Sequence, residues 1–215
     1  MSLQYIGIKV FAAVSLAAIL TVAGCSSGGN GPGPYDIEQN LNIAWNHFDS
    51  EDYDQALAKF NEVLSHSEDN PEALLGKGWS FAFEGDYDSS ITLFQSAIDN
   101  GLATPDALMG LAVVYRDYPN YLLCMTKSAE VIEADSFYVF SERTTIDYKD
   151  AHLIIAECAY LLGSSHFPTA HDEINYLCGL LGEPEPLPDP GTLPGDEYEM
   201  LVAEKLEDIS LLISD

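Results

Sequence analysis

Basic residues are scarce in this chain. Eight lysines and arginines face 35 aspartates and glutamates among 215 residues, a formal charge of −27. So acidic a body repels nucleic-acid phosphates and anionic headgroups. That excludes nucleic acid as a partner and leaves partners with basic groups, or a merely solvated acidic surface. Histidine is sparse too: His47, His66, His152, His166 and His171. No HExxH and no paired C-x-x-C occurs, and His166 and His171 beside Asp172 and Glu173 read better as a helix start than as a metal site. A glycine-rich phosphate loop is also missing. No catalytic residue, metal or cofactor is therefore expected, and the chain reads as a non-enzyme. Past Val22 no apolar run is long enough to span a bilayer.

What is present begins at the amino end, "MSLQYIGIKVFAAVSLAAILTVAGCSSGG". Lys9 is the one charged side chain before Cys25, and Val10 to Val22 is apolar or small. Too short and wrongly flanked for a spanning helix, this run fits a secretion signal. The box "VAGC", Val22 to Cys25, with its Ser/Gly spacer, resembles the bacterial lipoprotein cleavage site. The alternative is an ordinary signal peptide with a chance cysteine. The resemblance implies that residues 1–24 are removed and that Cys25 is lipidated, so that acyl chains hold the body at a membrane. Each buried methylene contributes roughly 0.8 kcal/mol to such an anchor. Removal takes away Lys9 and no acid, leaving 7 − 35 = −28. Ser26 and Ser27 in place of aspartate imply, by the same resemblance, the outer membrane and a body facing the periplasm. Residues 25–35, rich in Ser, Gly and Pro, read as a flexible tether.

The body repeats itself. "EDYDQALAKF", Glu51 to Phe60, is echoed by "GDYDSSITLF", Gly85 to Phe94, at an offset of 34 (94 − 60). Trp45 recurs as Trp79, "NPEAL" at Asn70 as "TPDAL" at Thr104, and Tyr87 as Tyr121, each 34 residues on. In period and pattern this resembles the tetratricopeptide repeat, a helix–turn–helix unit. The resemblance implies an all-α chain, a right-handed α-α superhelix, over residues 36–182. Its repeats are expected near 37–70, 71–104 and 105–138, with an irregular fourth at 149–182. First helices carry small Ala44, Gly78 and Ala112 at their crossings and large Ile43, Leu74, Phe81, Leu108, Leu111 and Tyr115 beside them. Second helices carry small Ala56, Ser90 and Cys124, backed by Phe60, Phe94, Val63, Ala97 and Val131. Ser128 stands where a third phenylalanine is due, and the family's tryptophan site holds Asn40, Leu74 and Leu108.

"KDAHLIIAECAYLLG", from Lys149, aligns with the earlier first helices only at an offset of 44 (151 − 107), ten beyond the period. An insertion, "EADSFYVFSERTTIDY", accounts for the excess, and its Phe137, Tyr138 and Phe140 are expected to pack on the solenoid. Residues 183–195, rich in proline, read as an extended linker. Residues 196–215 read as a capping helix over the last repeat, with Met200, Leu201, Leu206, Ile209, Leu212 and Ile213 at helical spacing. Cys124, Cys158 and Cys178 remain beyond the lipid site. Three buried thiols are preferred; one disulfide, Cys124–Cys158, is the other option.

Two tryptophans carry the functional expectation. At about 100° per residue, Trp79 falls opposite the stripe of Leu74, Gly78 and Phe81, with Leu75 and Phe83 to either side. Trp45 and Phe48 in the first repeat, and Met109, Val113 and Arg116 in the third, share that face. In the resembling family it lines the concave groove that receives peptides. The expectation is a protein or peptide partner with apolar side chains among Trp45, Phe48, Trp79 and Phe83 and basic groups near Asp49, Glu72 and Asp106. Cover by neighbouring first helices, or by the tether around Tyr35, is the competing explanation of these rings. The whole reads as an interaction scaffold or adaptor of the bacterial cell envelope. A small-molecule or glycan receptor that stacks its ligand on the groove aromatics is the alternative.

Overall fold

The computed structural model describes residues 35–102, 104–182 and 185–214. The secretion signal, Cys25 and all but the last residue of the tether lie outside these. Nine α-helices are found among the described residues and no strand: α1 (Ile37–Asp49), α2 (Tyr53–His66), α3 (Pro71–Glu84), α4 (Tyr87–Asp99), α5 (Pro105–Asp117), α6 (Tyr121–Ala134), α7 (Tyr148–Leu161), α8 (Phe167–Leu181) and α9 (Gly195–Ser214). Consecutive helices pack as antiparallel hairpins, and α1, α3, α5 and α7 touch in succession, so first helices form one layer and second helices the other. The fold is an all-α, TPR-like solenoid.

Local chemistry sets the helix ends. Asn70 Oδ1 accepts from Ala73 N at 2.8 Å and Asp36 Oδ1 from Gln39 N at 3.0 Å, each satisfying an orphan amide of the first turn. Pro71 and Pro105 occupy first-turn positions, where a missing amide hydrogen costs nothing. α3 stops at Gly85, whose φ of +83° is open to glycine without strain. One period earlier Glu51 holds the same left-handed conformation, φ +61°, without that freedom.

The repeat spacing becomes packing through aromatic-on-glycine contacts. A Cβ placed on Gly76 would collide with the outer edge of the Phe60 ring, and one on Gly110 with that of Phe94. Both pairs obey the period: 110 − 76 and 94 − 60 are each 34. Gly78 is tight as well, since a Cβ there would lie 2.9 Å from Phe94, and Ser90 Oγ closes that crossing by donating to the Gly78 carbonyl at 2.8 Å. At the third joint the volumes are exchanged. Ser128 stands at the phenylalanine register (128 − 94 = 34), and Ile154 stands at the glycine register once the ten inserted residues are counted (154 − 110 = 44). Both are buried. The missing phenylalanine is thus matched by a gained isoleucine, which conserves volume across the joint.

The cysteine preference is corrected here. Cys124 in α6 and Cys158 in α7 form a disulfide, and Cys178 alone stays a buried thiol. The bridge ties the helices on either side of the insertion. Closing a loop of this length stabilises the fold by about 3–4 kcal/mol in the chain-entropy view.

The capping helix is also corrected in detail. Its buried stripe is Tyr198, Val202, Leu206 and Ile209, while Met200 and Leu212 are exposed. α9 packs on α7 and α8, and the Tyr198 hydroxyl meets His171 Nδ1 at 2.6 Å. The proline-rich connection is pinned where Leu187 N donates to Asn175 Oδ1 at 2.7 Å.

Gly76→Ala tests the aromatic-on-glycine joint. Helix propensity alone would favour alanine by roughly 1 kcal/mol. Because the methyl group meets the Phe60 ring, the expected result is instead a lowered thermal midpoint, with a net loss of about 1–3 kcal/mol. An unchanged or raised midpoint in a circular dichroism melt would refute the close approach.

Candidate functional site

The face carrying the tryptophans is filled, not open. The insertion folds into a small hairpin that lies across α1, α3 and α5. Phe140 N donates to Ile146 O at 2.9 Å, Ile146 N to Arg143 O at 2.9 Å and Tyr148 N to Tyr138 O at 2.8 Å. Phe140 itself has no exposed surface. Its ring stacks on Trp79 at 5.0 Å between centroids and meets Trp45 at 6.1 Å and Phe48 at 6.5 Å edge-on. Around it, Trp45 packs on Phe60, and Trp79 packs on Phe94 and Phe83. Offset and T-shaped pairs at these distances are the favoured aromatic geometries.

Three residues on, Arg143 lies over two rings of the same face. Its guanidinium carbon is 4.9 Å from the Phe48 centroid and 4.5 Å from that of Phe83. Its Nη2 donates to the Phe48 carbonyl at 3.3 Å and to the Tyr53 hydroxyl at 3.2 Å, and Tyr53 stacks on Phe83 in turn.

The expected strip is therefore corrected residue by residue. Trp45, Phe48, Leu75, Trp79 and Met109 are buried, and Phe83 and Val113 are half-buried. Angular position placed the tryptophans off the helix-packing stripe, but the hairpin's Phe140 and the second-helix rings Phe60 and Phe94 together cover them. Tyr35, at the tether's end, stacks on His66 instead. Neither tryptophan presents an open face in this arrangement. Of the polar candidates, Asp49 and Glu72 are exposed, and Glu72 Oε1 accepts from Trp45 Nε1 at 3.1 Å. Arg116 is held within the chain by Asp117 at 2.9 Å and Glu157 at 3.6 Å. Sequence reasoning did not single out Arg143. The signal available was an arginine three residues after a phenylalanine in an insertion otherwise expected to pack.

The surroundings are crowded with carboxyls. Burial first, and then the neighbouring charges of Glu72, Asp106 and Asp49, raise the Glu142 carboxyl above its ordinary range. Burial raises Asp106, beside the Tyr138 hydroxyl, and also Glu157. Asp150, whose Oδ2 caps α7 by accepting from Asp147 N at 2.8 Å, is pushed by burial up to about 6. A cavity of about 280 Å³ opens at the hairpin tip, lined by Asn42, Trp45, Asn46 and Asp49 on α1 and by Ser141 to Thr144 of the hairpin. Among the described residues no group of three His, Cys, Asp or Glu side chains could hold a metal ion, and no helix is long and apolar enough to cross a membrane.

A raised carboxyl pKa means that the folded chain binds protons the unfolded chain does not. That contribution is fully present below the unfolded value and is lost as pH rises through the folded one. The thermal midpoint should therefore climb as pH falls from 7.5 to 5.5. For Asp150 alone, titrating at about 6, this is about 1 kcal/mol. In Asp150→Asn the climb should shrink. A wild-type midpoint that falls over this window would contradict the burial of these acids.

No curated protein matches the chain in sequence. A family model described as tetratricopeptide repeat matches residues 41–101 and 75–121, which span the first two repeats and the start of the third. Among solved structures, YrrB, described as a TPR protein with an unusual peptide-binding site, is 15% identical with a TM-score of 0.54, covering 83% of this chain and 90% of that one. PilW, described as a widely conserved type IV pilus biogenesis factor, is 16% identical with a TM-score of 0.57; the match covers 69% of this chain and 64% of that one. An O-GlcNAc transferase of Thermobaculum terrenum is 21% identical with a TM-score of 0.57 over 74% of this chain, which spans only 28% of that protein. At such identities the likeness is one of fold. The family model's match is thus confined to residues 41–121, and the solved structures show a shared TPR-like fold.

Proposed function

We propose that this protein is a lipid-anchored scaffold of the bacterial cell envelope, which holds a protein or peptide partner at a membrane surface, the outer membrane facing the periplasm in a bacterium that has two. The observation that carries the scaffold role is the groove. A TPR-like solenoid gathers Trp45, Phe48, Trp79 and Phe83 on one face, and a turn of the chain's own insertion, in which Arg143 N donates to Phe140 O at 3.2 Å, already seats Phe140 and Arg143 there. Peptide binding by YrrB and the pilus role of PilW, as their descriptions state them, support the same reading. The anchor rests on the "VAGC" box ending at Cys25. The Cys124–Cys158 disulfide supports an oxidising compartment such as the periplasm.

Metabolic labelling with a fatty-acid analogue tests the anchor: the natural chain should be marked and Cys25→Ala should not. Equal labelling of both would remove the lipoprotein. A crosslinked pull-down from membranes tests the scaffold. Recovery of the same partner from lipidated and unlipidated chains would keep the scaffold without the anchor, and recovery of none from either would count against the scaffold.

A further inference from the structure

What the groove accepts is legible in the segment that fills it. Phe140 enters a fully buried aromatic site made by Trp45, Phe48 and Trp79. Arg143 lies over Phe48 and Phe83 and donates to the Phe48 carbonyl and the Tyr53 hydroxyl. Between them Glu142 is misplaced. It lines the tip cavity together with Asp49, and Glu72 and Asp106 add further negative charge around it. A like charge set among carboxylates is repulsive, and a basic side chain there would be attractive.

The hairpin is also built to leave as a unit. Its main-chain hydrogen bonds close on itself, and among the described residues none joins it to α1 through α5. Among the described residues, one buried donor of the groove, Trp79 Nε1, and one of the hairpin, Arg143 Nη1, find no acceptor. The resident segment thus satisfies the groove incompletely, in hydrogen bonding as well as in charge.

We propose that the groove is a receptor for a peptide segment of the pattern aromatic–x–basic–Arg, and that Phe140-Ser141-Glu142-Arg143 is a tethered copy of it with the charge reversed at the third place. This rests on the scaffold reading and gives the partner its chemistry. Being part of the chain, the copy competes at a high effective concentration. A weakened copy excludes chance apolar segments and yields to one that carries the basic residue. The chain's own charge of −27 assists the approach of such a partner.

The two tryptophans of the chain both line the groove, so their emission reads it directly. The full chain in detergent is titrated with a peptide of residues 137–146, with the same peptide carrying Glu142→Lys, and with a control in which Phe140 and Arg143 are alanine. In the double variant Phe140→Ala/Arg143→Ala, the unaltered peptide should bind and shift the emission. The lysine peptide should bind about tenfold more tightly, an advantage that shrinks in high salt, and the control should not bind. If the double variant loses its helical circular dichroism, the wild type decides. There the lysine peptide should displace the hairpin and give a saturable emission change at higher concentration. No response to the lysine peptide on a folded double variant, none on the wild type where that alone is folded, or equal affinity for the two peptides, overturns the proposal. A chain that captures a partner from membranes yet ignores the lysine peptide loses this inference and keeps the scaffold.

Discussion

The stacking of Phe140 on Trp79 ties the inserted hairpin to the aromatic packing of the first two repeats. Trp79 is seated on Phe94, Phe94 on Gly110, and Trp45 on Phe60, which in turn rests on Gly76. One inserted ring therefore continues an aromatic column that runs through successive repeats. Removing a buried phenylalanine costs about 3–5 kcal/mol, a large share of the marginal stability of a domain. A short solenoid has few long-range contacts to spare, because each repeat touches only its neighbours. An insertion that reaches from beyond the third repeat back to the first, as Arg143 does to Phe48, joins parts that the repeats alone would leave independent.

The insertion would be expected to break the array, since ten extra residues separate α6 from α7. Two features restore the joint without the hairpin. The disulfide between Cys124 and Cys158 fixes the two helices directly. The exchange of Phe for Ser128 and of Gly for Ile154 keeps the joint filled. The joint between α6 and α7 is thereby held by contacts that do not involve the hairpin. The last face is closed by α9 through Val202, Leu206 and Ile209, which leaves the concave side as the place where an unusual arrangement is concentrated.

The helices were legible in the sequence because the period of 34 is a local signal: Pro71 and Pro105 mark first turns, and Ala44, Gly78 and Ala112 mark crossings. The face of Trp79 was legible for the same reason, since helical rotation fixes it relative to Leu74 and Gly78. Its burial was not. Part of the cover comes from Phe140, 61 residues on (140 − 79), and no periodic pattern links a hairpin to the groove it fills. Arg143 escaped notice because its partners are two rings, a hydroxyl and a main-chain carbonyl rather than an acid. The disulfide was one of two options, and spacing could not choose, because the approach of α6 to α7 depends on how the insertion is accommodated. Met200 and Leu212 fit helical spacing but not the buried stripe, where Tyr198 and Val202 do the packing.

The covering of the groove by Phe140 is tested most directly by Phe140→Ala in the full chain, with tryptophan emission and thermal stability followed together. Both tryptophans touch this ring. Their emission should move to longer wavelength as water reaches them, and stability should fall by about 3–5 kcal/mol while helical content is kept. Unchanged emission together with an unchanged midpoint would mean that the hairpin does not fill the groove.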